Sequence, residues 1–495
     1  MTSPAVESLA PAAVWKFFSG LASVPRPSKK EEKVRAYMLE LLAELGFEAT
    51  EDATGNIVAK VPATPGCESA KTTVIQSHLD MVCEKNAGTE HDFENDPIRL
   101  VRDVDSNGEE IIRADGTTLG SDNGIGVAMS LAAATSPEVT HGPLELLFTI
   151  DEETGMTGAK ALVSESFEAR QLINLDSEED DAIYIGCAGG RDTDLRWSLA
   201  PQAISEGTTF RVSVSGLLGG HSGCDIHENR GNAIQILARA LLASADGGSG
   251  WCLQEIEGGS MRNAIPREAV AVISGDAASQ SRLEAACQAL EEAAKRESFE
   301  SASLSVECLG DSAGASAVSS DDTGRILRSL VAIPSGVVSM HPKIPSLVQS
   351  SNNLSTIRSS VEGGQVEVTV GCLTRSSLSS AIDHVSSQVA SIGRLSGAAI
   401  EHHNDYPGWE PDVDSRLLAT TRAIYEEMFE TEPEVAAIHA GLECGIIRDA
   451  VGPMDMVSFG PRIEGAHSPD ERVYPASVEK SWRFLVAVLG RLASD

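Results

Sequence analysis

Residues 76–85 read QSHLDMVCEK and continue directly from TTVIQ at 72–76. The apolar pair in TTVIQ predicts a buried strand. Alternation along it sends side chains two apart to the same side, so His78 and Asp80 share a direction where the strand ends. Two readings of this H-x-D are open. One is a polar pair satisfied at a strand end; the other is a metal ligand whose second ring nitrogen is held by a carboxylate, which fixes the histidine tautomer. The rest of the chain has to supply, or fail to supply, the other ligands.

The neighbouring segments repeat the pattern. LELLFTI at 144–150 is a short apolar strand running into Asp151, and LINL at 172–175 is another running into Asp176. Between them, DGTTLGSDNGIGVA at 115–128 predicts a Gly-rich loop entering the helix GVAMSLAAAT. Upstream, Val34, Met38, Leu41, Leu42 and Leu45 mark one face of a helix, with Ser28 and Glu31 as an expected capping box and Gly46 as the stop. Apolar strands that each end at an acidic residue or histidine, separated by helices, predict an α/β sheet with a site at its strand ends.

From about residue 195 the texture changes. TTFRVSVSG at 208–216 and GQVEVTVGCL at 364–373 alternate with period two, as strands with one solvated face do, and helical segments at 232–243, 281–296 and 377–392 lie between and after them. After HHNDYPGWEPD, at 402–412, helix, strand and helix patterns resume. The expected architecture is a discontinuous α/β domain over 1–194 and 398–495, with an α+β domain inserted at 195–397.

Composition bounds the function. The 495 residues are 42% hydrophobic and 22% charged, a globular balance, and 38 basic against 73 acidic residues give a formal charge of −35. Nucleic acids and anionic membrane surfaces, which attract basic patches, are excluded as expected partners. No apolar run reaches the roughly 18 to 20 residues that span a bilayer. The first residues carry no cationic stretch ahead of an apolar core, and nine scattered cysteines never fall in C-x-x-C spacing, so a reducing cytoplasm is the expected compartment.

Besides His78 and Asp80, candidate ligands stand at Asp122, at the pair Glu152 and Glu153, at Asp176 and at His467. Imidazole nitrogen and carboxylate oxygen without thiolate suit zinc in a hydrolytic site, with manganese or cobalt as substitutes. Five ligands exceed one tetrahedral ion with an open position, whereas two ions sharing a carboxylate would use them all. Consecutive glutamates at a turn diverge, so one can bind metal while the other serves as a general base.

The segments SHLDMV, DGTTLGSDNGIGVA, DEETGMTGA, NLDSE, GGHSGCDIHENRGNA and GAHSPDE together resemble the dinuclear zinc dipeptidases that include carnosinase, most closely their aminoacyl-histidine (cytosol non-specific) dipeptidase branch. The resemblance covers nearly the whole chain. It implies that Asp122 bridges two zinc ions, that His78 and Asp176 complete one and Glu153 and His467 the other, that Asp80 orients His78, and that Glu152 is the base. It also implies that the insert is a lid and dimerisation domain. There His221 would approach the scissile carbonyl from the partner subunit of a homodimer, and Arg375, in CLTRSS, would hold the substrate's C-terminal carboxylate. Glu443, in HAGLECG, offers an anionic partner for the free amino end of a dipeptide or else a structural carboxylate, and by family analogy Asn353, in SSNNLS, would add a lid contact. The expected reaction is hydrolysis of unblocked dipeptides. The competing expectation is an amidohydrolase of the same architecture that removes acyl groups from amino acids.

Overall fold

The computed structural model describes residues 2–245, 250–298 and 300–494. The chain divides into two compact units, Met1–Gly186 with Pro411–Ala437 and Leu442–Asp495, and Cys187–Glu410 with Ile438–Gly441. The texture change expected at 194/195 lies inside a continuous strand, Gly189–Leu199, which pairs along its whole length with Gln365–Ser376. The strand Ala399–Tyr406 pairs with it on the other side, so 398 is likewise no edge of the second unit.

An eight-stranded sheet forms the centre of the first unit. Its order is 48–51, 57–61, 144–149, 73–78, 171–174, 455–458, 182–187 and 434–438. The run 144–149, 73–78, 171–174 and 455–458 is parallel throughout, and the pairings of 48–51 with 57–61, 57–61 with 144–149, and 455–458 with 182–187 are antiparallel. Every residue of 73–78 and 144–149 is buried, as strands covered on both faces must be. In such a sheet the groove beyond the carboxyl ends of the parallel strands is where side chains from separate loops converge. His78 is the last residue of its strand, and Asp151 and Asp176 follow two residues beyond theirs.

The Gly-rich loop does enter a helix, Ser121–Thr135, whose dihedral angles are non-helical at Asp122 and Asn123 before it settles. This Ala-rich helix is buried almost all round. Gly126 lets it approach the sheet, because a Cβ there would lie 2.6 Å from the carbonyl oxygen of Leu175. The upstream helix runs over Glu32–Glu44 and stops at Gly46, whose φ of 81° suits glycine. The expected capping box is not formed: Ser28 donates to the Met81 carbonyl, and Glu31 Oε1 accepts from the N–H groups of Lys29 and Asp151. Both side chains are drawn to the strand-end loops instead of closing on the helix.

The second unit is built on an antiparallel nine-stranded sheet, ordered 303–311, 208–215, 269–275, 252–258, 348–362, 365–376, 189–199 and 399–406, with 336–340 added against 348–362. Helices 233–244, 280–297, 320–332 and 379–395 contribute to one apolar core with it, including Phe210, Leu237, Trp251, Leu283, Leu330 and Val389. Its strands alternate as their sequences predict. Among the described residues no helix is long and apolar enough to cross a membrane.

Candidate metal centre

Five strand-end or loop segments of the first unit bring the ligand candidates together. His78, 1% exposed, places Nε2 at 3.0 Å from Asp122 Oδ1 and 3.2 Å from Asp176 Oδ1. On the other side of the same carboxylate, Asp122 Oδ2 lies 3.2 Å from His467 Nε2, which is 3.0 Å from Glu153 Oε2. Three three-residue groups have their donor atoms within 4.8 Å of one another: His78–Glu152–Glu153, and the two that share Asp122, His78–Asp122–Asp176 and Asp122–Glu153–His467. Asp122 belongs to both and offers one oxygen to each.

Asp80 lies behind His78, fully buried, with Oδ1 3.4 Å from Nδ1. The same carboxylate accepts the N–H of Glu152 at 3.0 Å and of Glu153 at 3.3 Å, so it stands between the histidine and the turn carrying both glutamates. Asn123 donates to the Leu175 carbonyl and to Asp176 Oδ1, which fixes the third carboxylate.

The electrostatics are those of a site built around more positive charge than the protein supplies. Burial opposes charge on His78, yet Asp176, Asp122 and Asp80 outweigh it and raise its pKa. Hydrogen bonds with Asp122 and Glu153 push His467 up to about 11. Burial, partly offset by His78, pushes Asp176 up to about 6, and burial holds Glu152 well above the usual carboxylate range. Glu153 Oε1 is buried with no hydrogen-bond partner among the described residues. Two imidazoles, three carboxylates and an orphaned carboxylate oxygen fit divalent cations with nitrogen and oxygen preference. A divalent ion would displace the protons that the two histidines hold in its absence.

Several contributors were not foreseen from sequence. Gln76 and Asn174, register partners on adjacent strands, are joined side chain to side chain, and Asn174 Oδ1 accepts from the Asp176 N–H. Gln76 also donates to Glu443 at 2.7 Å. Polar residues inside otherwise apolar strands, in TTVIQSH and LINLD, were the available signal. Glu178, two residues past Asp176, is pushed up to about 8 by burial and then by Asp122.

Glu443 lies deep in the first unit. It opens the helix Glu443–Val451, is 0% exposed, and has Oε2 bonded to Gln76 and Thr149. Burial pushes it up to about 8. Oε2 thus braces Gln76 of strand 73–78 and the end of strand 144–149, while Oε1 is buried with no hydrogen-bond partner among the described residues.

The three remaining candidates lie in the second unit. His221 sits in a two-residue ladder with Ala264, after Gly219 and Gly220, both with positive φ. Its Nδ1 accepts the N–H groups of Gly223 at 3.2 Å and Cys224 at 3.0 Å, which leaves the ring proton on Nε2. Burial and then the Arg375 guanidinium lower its pKa, so the ring is neutral near pH 7. Arg375, 5% exposed, donates Nη1 to Tyr406 Oη at 2.8 Å, while its buried Nε has no hydrogen-bond partner among the described residues. Asn353 uses its amide N–H groups on the Ala264 carbonyl at 2.7 Å and on Ser355 Oγ. It therefore steadies the strand partner of His221.

Residues 74–491 match the family described as Peptidase family M20/M25/M40. The chain belongs to this peptidase family. Within it, this M20-type chain is 40% identical over 488 residues to the cytosol non-specific dipeptidase of Escherichia coli (strain K12), with 98% of each protein covered. It superposes on the crystal structure of aminoacylhistidine dipeptidase from Vibrio alginolyticus with a TM-score of 0.86 at 41% identity, over 98% of this chain and 97% of that one. Aminopeptidase PepT from Bacillus cereus shares the fold at 16% identity and a TM-score of 0.56, over 98% of this chain and 99% of that one. Family and donor set together imply a divalent metal ion site in this peptide-bond hydrolase.

Proposed function

We propose that the protein is a dinuclear zinc dipeptidase that hydrolyses unblocked dipeptides, Xaa-His substrates among them. The observation that carries this is the sharing of Asp122 between two otherwise separate ligand groups, His78 with Asp176 and Glu153 with His467. Near full-length similarity to two dipeptidases supports the substrate class and disfavours the acyl-amino-acid alternative.

Zinc bound by these residues would polarise the scissile carbonyl and make water acidic enough to attack near neutral pH. Glu152 takes the proton from the attacking water and returns it to the leaving amine. Its raised pKa suits both directions of transfer. Asp80 keeps His78 in the tautomer that presents Nε2, and through its bond to the Glu152 N–H it holds the base in register with the ligands. His221, neutral and protonated on Nε2, donates to the oxyanion that develops on the carbonyl. Arg375 receives the C-terminal carboxylate, a planar acceptor that a guanidinium fork matches.

We assign the second unit to the lid and dimerisation role, with a homodimer as the working assembly and the cytoplasm as its compartment. The test is a matched substrate panel given to the zinc-loaded protein: Ala-His, β-Ala-His and Leu-Gly, their N-acetylated forms, and N-acetyl amino acids. Cleavage confined to free-amine dipeptides supports the reading, and cleavage confined to acylated compounds replaces it with deacylation. Sedimentation of the same preparation tests the dimer.

A further inference from the structure

Asp122 reaches both ligand groups from a Gly-rich loop, which raises the question of what holds that loop in place. The carboxylate of Glu471, 2% exposed, occupies the inside of it. Oε2 accepts the N–H groups of Leu119 at 2.7 Å and Gly120 at 2.9 Å; Oε1 accepts those of Ser121 at 2.7 Å and Asp122 at 3.3 Å, and the Ser121 hydroxyl at 2.6 Å. Four consecutive main-chain donors and a hydroxyl thus converge on one side chain. Only an ionised carboxylate, acceptor at both oxygens, can satisfy them all.

Glu471 is also at the end of the turn that carries His467. Its N–H donates to the Ser468 carbonyl, and the next residues, Arg472 and Val473, pair with Arg113 and Ile112. The turn is therefore fixed to a strand on one side and delivers a ligand on the other. Across the loop stands Arg26, 3% exposed. Its Nη1 donates to the carbonyls of Leu79 and Asp80, each at 3.0 Å, and its Nη2 to that of Gly120. The loop bearing Asp122 is accordingly held from its N–H side by Glu471 and from its carbonyl side by Arg26. Arg26 joins it in turn to the loop of His78 and Asp80.

We propose that Glu471 is a positioning residue for metal binding: by clamping the 119–122 main chain to the His467 turn, it sets the distance between Asp122 and His467 and so the geometry of the shared carboxylate. The proposal rests on Asp122 being the bridging ligand. A Gln at 471 has the same shape but turns one acceptor into a donor facing an N–H. An Asp keeps the charge and is one methylene too short to reach all five donors.

The test is zinc affinity and stoichiometry of metal-free protein, measured by competition with a chromogenic chelator, together with kcat and KM and the unfolding temperature of the metal-free state. Glu471→Gln and Glu471→Asp are expected to weaken binding by about 10- to 100-fold, the usual effect of removing a partner that orients a ligand, and to lower kcat more than they change KM. A residue that only caps the helix would lower the metal-free unfolding temperature and leave zinc affinity alone; affinity within about threefold of wild type in either folded variant, well below that usual loss, overturns the proposal. If neither variant folds, Ser121→Ala, which removes one donor from the intact carboxylate, carries the test, and unchanged affinity there overturns it equally. Asp122→Asn is run in parallel. Retention of both zinc equivalents by that variant refutes the ligand reading itself, whereas their loss with normal binding by the Glu471 variants refutes the clamp alone.

Discussion

The N–H of Glu152 donates to Asp80 Oδ1 at 3.0 Å, and that same oxygen faces His78 Nδ1 at 3.4 Å. One buried carboxylate therefore stands against both the His78 ring and the main chain of Glu152. Asp80→Asn, which still accepts one hydrogen bond but presents an amide on the other side, should weaken zinc binding and turnover together, each by about 10- to 100-fold. Titration of zinc into the metal-free variant, followed by an Ala-His assay at saturating zinc, separates the two. Full activity at saturating zinc would confine Asp80 to ligand orientation.

Glu152→Gln removes a proton acceptor while preserving size. Turnover is expected to fall by about 10²- to 10⁴-fold, the range for a positioned general base. Zinc content measured by atomic emission should stay at the wild-type level, because each group that shares Asp122 is complete without Glu152; a fall would place Glu152 among the ligands, as its grouping with His78 and Glu153 allows. Comparable activity in the variant would remove Glu152 from the mechanism.

His221→Ala should lower kcat by about 10²- to 10³-fold, as loss of an oxyanion donor does, with zinc content unchanged. Because Nδ1 is committed to two main-chain N–H groups, His221→Gln, which can place an amide N–H near the same position, is expected to recover part of the loss. A fall in zinc content would make His221 a ligand instead.

The metal-free protein should lose stability as pH rises from 5 to 8. Asp176, Glu178 and Glu443 hold protons in the folded state up to about 6, about 8 and about 8, whereas the unfolded chain releases them near 3.8 and 4.5. Within those windows the native state binds more protons than the unfolded one, so stability falls with rising pH. His467, raised to about 11 from 6.5, acts in the same direction: its contribution is complete below 6.5 and fades as pH approaches 11. Calorimetry at pH 5, 6.5 and 8 should show a falling midpoint without metal and a much flatter profile with zinc. A metal-free midpoint that rises across the window would contradict these shifts.

Much of the centre could be read from the sequence because strand ends announce themselves: an apolar run that stops at His78, Asp151 or Asp176 marks both the strand and the place where the chain meets the groove. Glu471 and Arg26 could not be found that way. Each acts on main-chain groups of loops 350 and 94 residues away in the chain, and no side-chain pattern records a main-chain partner. The surroundings of Glu443 were hidden for a related reason. Its sequence neighbours say that a helix begins there but not that Gln76 and Thr149 enclose its carboxylate. The unit boundary was misplaced because alternation became obvious at 208–216, while the strand that starts the second unit, 189–199, is irregular in its polarity.

The strand order of the first sheet also bears on how the chain is made. The strand 455–458 lies between 171–174 and 182–187, so two strands close in sequence are kept apart by one translated some 270 residues later. Until that segment leaves the ribosome, 171–174 has one edge unpaired, and an exposed edge of a hydrophobic sheet is a place where chains associate wrongly. His467 and Glu471 emerge later still. The group Asp122–Glu153–His467 thus cannot assemble until long after Asp122 and Glu153 have been made, and the edge of 171–174 lacks its native neighbour over nearly the whole of that interval.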